Sequence, residues 1–308
     1  MGHRAVAAGV VAGAVLAAGI TLTSGALGTG GASNGPTPGD TRGSLTAAAP
    51  GRDGNGSALE PPATPRDRER AATAVVHAVD RVVPGSTAGL VVHDRRTGAA
   101  VVGARADEPF YTASVVKLLI AIDVLRGHDW RPPGGTTGSD LTAMLSASDD
   151  GAATRLWDEF GGTAVVERTV RLIGLDATTP PTEADEWELT RMSPRDIVRT
   201  YTYLHHDLPR PAREAVLGSL GDFDATAADG FDQRFGLPAA FGDRTVAVKQ
   251  GWMPVGDDVV LNTTGVVGDG GRFVIALPVV MPGDTDFATA RDAVTAGARA
   301  LARALGGG

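Results

Sequence analysis

The sequence predicts an α+β fold: one antiparallel sheet flanked by N- and C-terminal helices, with an all-helical lobe inserted between its strands. Three observations predict it. Helical apolar spacing marks "RDRERAATAVVHAVDRV" (66–82) near the start of the folded region and "DTDFATARDAVTAGARALARAL" (284–305) at its end. Strand-like runs lie close to both helices, "AGLVVHDRRTGAAVVGA" (88–104) on one side and "RTVAVKQGW", "DVVLNTTGVVG" and "RFVIALPVVM" (244–281) on the other. Helical sequence fills the interval from about Asp140 to Leu220, so strands distant in the chain must pair around it.

Taken in order, Asp67 and Glu69 sit where acidic residues favour a helix N-terminus. The turn Arg95–Gly98 divides the first strand pair. A helix follows over the apolar run Val115–Leu125, then a Pro/Gly break at Arg131–Gly138, the helical middle, the three strands and the closing helix. A binding site is expected between sheet and lobe.

Ahead of this region, Met1–Ala26 carries one cation, Arg4, then an uncharged Ala/Val/Gly/Leu stretch and the small-residue site Ser24-Gly25-Ala26. That is the pattern of a secretory signal, with an uncleaved N-terminal anchor as the alternative. Residues 27–65, rich in Gly, Ala, Ser, Thr and Pro, are expected to form a flexible tether to the domain at 66–308. The chain has no Cys, so disulfides and cysteine-linked lipid are excluded. The net charge of −8, which loss of Arg4 would make −9, argues against nucleic acid as a partner. No cofactor or metal is called for, His205-His206 being read as a solvated pair, and a monomer is expected.

Only two of the 28 basic residues are lysines, Lys117 and Lys249. Arginine holds its proton permanently in a protein, whereas a desolvated lysine can lose it and serve as a base. Lys117 interrupts the most apolar run of the chain, three residues after Ser114, where helical spacing brings the two side chains to one face. A neutral Lys117 could then take the Ser114 proton and make the serine a nucleophile. A second cluster, Ser148-Asp149-Asp150, precedes a small-residue helical run and, taken alone, reads as a helix cap before it reads as chemistry. In the third, "VAVKQGW", strand alternation puts Lys249 and Gly251 on one face, where a ligand could lie against the glycine backbone.

In this order, S-x-x-K at Ser114–Lys117, S-D-D at Ser148–Asp150 and K-Q-G at Lys249–Gly251 resemble the motifs of the penicillin-recognising serine hydrolases, class A β-lactamases and penicillin-binding proteins. "GAATRLW" after the second motif and "TRMSPRDIVRTYTYL" (190–204) are similar to class A segments too. The resemblance implies that Ser114 is acylated, Lys117 acts as base and Ser148 relays a proton to the leaving nitrogen. It further implies that Lys249 binds a substrate carboxylate, and that the N–H groups of Ser114 and Trp252 form an oxyanion hole. Asp150, Gln250 and Gly251 would line the substrate. The implied substrate is a β-lactam or a D-Ala-terminated cell-wall peptide, met outside the cytoplasm, either secreted or at the cell envelope. Three departures stand out: Asp150 replaces the family's Asn, Gln250 replaces its Thr or Ser, and the loop carrying R-x-E-x-x-L-N has no counterpart. Glu183, Glu186 and Glu188, in "TTPPTEADEWELT", are the candidates for its missing deacylation base. Asp150 and Gln250 also admit a non-catalytic module of the same fold that holds a carboxylate ligand on Lys249.

Overall fold

The computed structural model describes residues 58–306. The expected signal or anchor (1–26) and most of the expected tether lie outside the described residues. The end of that tether is packed, ahead of the boundary read from composition. Leu59 is buried, its carbonyl accepts from Arg272, and the Glu60 N–H donates to the Leu305 carbonyl. Helix α1 (Pro65–Asp80) is capped by Thr64, whose hydroxyl accepts the Asp67 N–H at 3.1 Å, and Pro65 opens it with a φ already suited to a helix.

The main sheet is antiparallel, in the order β3 (Ala99–Ala104), β2 (Leu90–Asp94), β8 (Phe273–Pro282), β7 (Asp258–Val267), β6 (Thr245–Val255), and the short β1 (Thr87–Ala88) also pairs with β8. Alternation sorts its side chains into two cores. Leu90, Val92, Ile275 and Leu277 pack with α1 and the closing helix α9 (Phe287–Ala304). Val91, Val274 and Ala276 join the core of the helical lobe on the opposite face.

That lobe contains α2 (Lys117–Gly127), α3 (Gly135–Ser146), α4 (Asp150–Glu159), α5 (Ala164–Ile173), α6 (Pro194–His206) and α7 (Arg210–Gly221). Every residue of α2 from Lys117 to Leu125 is buried, as a sequence apolar but for Lys117 and Asp123 requires. The helix begins two residues later than the apolar run, because Ala113–Val116 forms a 3₁₀ turn, and α3 begins inside the expected Pro/Gly break. A second, two-stranded sheet, β4 (Phe110–Tyr111) with β5 (Arg191–Met192), ties the segment before Ser114 to the acidic loop. The short α8 (Leu237–Phe241) leads into β6. His206 is exposed as expected. His205 is half-buried instead, and burial pushes its imidazole down to about 4.

Asp123, fully buried on α2, is held by Arg168 of α5 through both carboxylate oxygens and by Arg126 at 2.9 Å. Losing one partner of a buried pair leaves desolvated charge behind. Arg168→Ala is therefore expected to cost up to about 3 kcal/mol in denaturant unfolding, with Arg126 retaining part of the interaction. A change within about 0.5 kcal/mol would mean that Arg126 and solvent suffice.

Candidate active site

Ser114 sits in the 3₁₀ turn that leads into α2, directly after Ala113, whose φ of 45° is left-handed. Holding a residue with a Cβ there costs about 1–3 kcal/mol and requires neighbours that over-determine the backbone. Asn262 of β7 supplies part of that restraint, donating its amide to the carbonyls of Tyr111 and Thr112, both at 2.9 Å. Gly251 of β6 supplies another. A Cβ at Gly251 would stand 2.6 Å from the Thr112 carbonyl oxygen and 3.2 Å from the Ser114 nitrogen. The space reserved at Gly251 is thus filled by the Thr112–Ser114 segment, not by a ligand as alternation alone suggested. This contact holds β6, and with it Trp252, against the Ser114 N–H.

The second motif meets both lysines. Ser148 has a φ of 54°, the other strained residue of the site, and Asp149 caps α4 by accepting the Ala152 N–H at 2.8 Å. Capping, one of the alternatives in the sequence, falls to Asp149 and leaves the Ser148 hydroxyl free to meet the lysines. The Ser148 hydroxyl oxygen lies 2.7 Å from Lys249 Nζ and 3.3 Å from Lys117 Nζ, bridging the two amines. Lys117 also donates to the Ser148 carbonyl at 2.7 Å and to Asp150 Oδ1 at 2.6 Å. Its bonds run to the second motif rather than to Ser114, which lies three residues earlier in the 3₁₀ turn.

Both lysines are buried, Lys117 at 0% and Lys249 at 1% exposure. Burial pushes the Lys117 ammonium below the ordinary lysine range, while Asp150, by charge and by hydrogen bond, pulls it back. Lys249 is driven well below that range by burial and next by the charge of Lys117, with Asp150 and Asp229 opposing. Trp187 lies over Lys117, with Nζ 4.8 Å from the ring centroid, and donates its indole N–H to Thr154.

A small cavity of about 110 Å³ opens beside Ser114, walled by Trp187, Glu188, Asp150, Trp252 and Met253. Of the three acidic candidates, Glu183 and Glu186 are exposed and do not line it, whereas Glu188 does. Burial raises the Glu188 carboxyl, Glu186 and Asp150 push it the same way, and Lys117 opposes. The cavity's far wall is fixed by Trp252, stacked on Phe231 at 4.4 Å and donating to Asp229 at 2.9 Å.

Gln250 is not part of this cavity. It is fully buried, and its amide donates to the carbonyls of Gln233 and Phe235 at 3.0 and 2.8 Å. Alternation along β6 turns it away from Lys249 and Gly251, so the expected substrate contact becomes a structural one. It anchors the 224–235 segment, which also bonds to the Ser146 carbonyl through Gln233 Nε2 and to the Ala147 carbonyl through the Ala228 N–H. Asn262, Trp187 and Asp229 escaped the sequence reading. The first left a signal in the polar triplet Asn262-Thr263-Thr264 within the otherwise apolar β7.

Ser114, held behind the strained Ala113, thus shares one site with two desolvated lysines and the Ser148 hydroxyl that bridges them. The profile of the "Beta-lactamase enzyme family" matches residues 69–129. The β-lactamase of Streptomyces albus G is 31% identical over 270 residues, covering 72% of this chain and 81% of its own. "Putative lipoprotein LppW" of Mycobacterium bovis is 36% identical over 226 residues, 70% of each chain. Among solved structures, the Streptomyces albus G β-lactamase superposes with a TM-score of 0.60 at 26% identity, covering 77% of this chain and all of that one (100%). The class A β-lactamase of Mycobacterium abscessus gives 0.62 at 23% identity, over 77% and 99% of the two chains. The chain belongs to the class A β-lactamase-like family, and its α+β fold is the fold of that family. Family and fold together support a serine-hydrolase-like function.

Proposed function

We propose that the protein is an exported serine hydrolase that forms an acyl-enzyme through Ser114. The observation that carries this reading is the Lys117–Ser148–Lys249 bridge, sealed from water one turn from the nucleophile. In the step proposed, Ser114 Oγ bonds to the substrate carbonyl carbon and its proton passes to neutral Lys117 Nζ. The scissile C–N bond then breaks, and the nitrogen takes a proton from the Ser148 hydroxyl, which Lys117 or Lys249 replenishes. The backbone N–H groups of Ser114 and Trp252 serve the developing oxyanion, a contribution of about 3–4 kcal/mol per donor where such groups have been removed. β-Lactams and D-Ala-terminated peptides are the substrates that the family likeness brings to this site. The lipoprotein name of one relative supports an envelope location; with no cysteine in this chain, attachment here would rest on the N-terminal segment. Among the described residues no helix is long and apolar enough to cross a membrane.

The rival reading, a module that holds a carboxylate on Lys249, is disfavoured because that amine is buried and already bonded to Ser148. Burst kinetics with a chromogenic cephalosporin test the proposal: one equivalent of product released rapidly by the full chain, and none by Ser114→Ala, is the expected result. An identical burst in both proteins would overturn it.

Asp150 sets the rate of this reaction on ordinary penicillins. Acylation needs Lys117 uncharged, so its rate rises with pH through the lowered lysine pKa, and Asp150 delays that rise by stabilising the ammonium. Asp150→Asn should move the acylation limb to lower pH and speed penicillin acylation near neutrality about tenfold. An unchanged pH profile would show that the Lys117–Asp150 contact does not govern the base.

A further inference from the structure

We infer that the acyl pocket beside Ser114 selects substrates carrying a positively charged group on the acyl side and disfavours those carrying a carboxylate there. The inference rests on the acyl-serine reading above and adds the charge class of the substrate.

The pocket presents charge of one sign. Its two cationic neighbours are sealed, with Lys117 at 0% and Lys249 at 1% exposure. The carboxylates face the cavity: the Asp150 side chain is 65% exposed, and the half-buried Glu188 lines the same space. A third, Asp229, is exposed at the outer edge of Trp252, and its charge reaches both lysines. No arginine of the described residues lines the cavity. Arg234 and Arg291 are both paired with Asp232, and neither lines the cavity. An entering anion therefore meets carboxylates first, and a narrow cleft focuses that field. A cation meets carboxylates together with the indoles of Trp187 and Trp252, a combination that suits an ammonium group.

This arrangement also couples binding to chemistry. Asp150 Oδ1 holds the Lys117 ammonium at 2.6 Å. A substrate ammonium at Asp150 would offset that carboxylate's charge, weaken its hold on the lysine proton and favour the neutral amine that Ser114 requires. The residue that hinders acylation by ordinary penicillins would then be the one through which the preferred substrate activates the base.

Three penicillins that share a phenylacetyl side chain and differ only at its α carbon, bearing hydrogen, ammonium or carboxylate, isolate the charge. Their acylation rates on the full chain are read by intact mass at about pH 6.5, where an α-amino group is protonated. The ammonium form should react about tenfold faster than the hydrogen form, and the carboxylate form more slowly than either. In Asp150→Asn the ammonium-to-hydrogen ratio should fall towards one even as the hydrogen form speeds up. Equal rates for the three, or preference for the carboxylate, would overturn the inference. A separate arm uses Ser114→Ala with phenylglycinamide and phenylacetamide, followed by tryptophan fluorescence. Saturable binding of the ammonium compound with weaker binding of the neutral one supports the charge preference even if no penicillin reacts, in which case the acyl-serine reading alone fails. Equal binding, or none, overturns the charge preference.

Discussion

Lys117→Arg should leave the protein folded and reduce acylation of Ser114 by about 10²–10⁴-fold, the range that general acid–base groups contribute. The variant keeps a positive charge within reach of Ser148 and Asp150 but removes the ability to become neutral. Lys117 is fully enclosed by α2, Trp187 and the second motif, so the larger guanidinium could strain the site. Lys117→Met, similar in length and uncharged, separates that effect from loss of the base, and thermal unfolding of both variants establishes that they fold. Lys249→Arg should behave differently: a fixed cation can still donate to Ser148, so the loss should be nearer tenfold. Near-wild-type acylation in both arginine variants would overturn the assigned roles.

The acyl-enzyme should persist for minutes. Deacylation needs a base ionised and aimed at a water beside the ester, and among the three acidic candidates only Glu188 faces the cavity, with its carboxyl raised by burial and by its acidic neighbours. A base with a raised pKa is less ionised at low pH, so deacylation should quicken as pH rises through that pKa. Glu188→Gln should slow it by a further 10²-fold or more, to about the lower end of the general-base range. Glu183→Gln should leave it unchanged, and Glu186→Gln should shift only its pH dependence, by relieving Glu188 of one negative neighbour. The check is the decay of the mass-shifted protein after excess β-lactam is removed. Rapid multiple turnover would contradict the slow deacylation, and equal decay in wild type and Glu188→Gln would exclude Glu188 as the base.

The order of elements was legible because each depends on local periodicity. Strands pair antiparallel around a helical insertion whichever side chains fill the pocket. The two lysines were legible because arginine serves every other cationic position. Gln250 was misassigned when the family likeness outweighed strand alternation; the same alternation that joins Lys249 to Gly251 turns Gln250 into the 233–235 carbonyls. The bond between Lys117 and Asp150 depends on how the turn at Ser148 meets the first turn of α2, a tertiary fact that spacing does not encode. Glu188 stood among equals for a similar reason: the pairing of β4 with β5, two residues each, and the bonds from Thr112 to the Glu188 and Thr190 carbonyls draw the acidic loop across Ser114.

The central claim is that Ser114 becomes covalently acylated, and intact-protein mass after exposure to a panel of β-lactams, followed by peptide mapping, tests it most directly. The account predicts a mass increase of one acyl group per chain on the peptide containing Ser114, absent in Ser114→Ala. No adduct with any β-lactam in the panel, or the same adduct in Ser114→Ala, would contradict it.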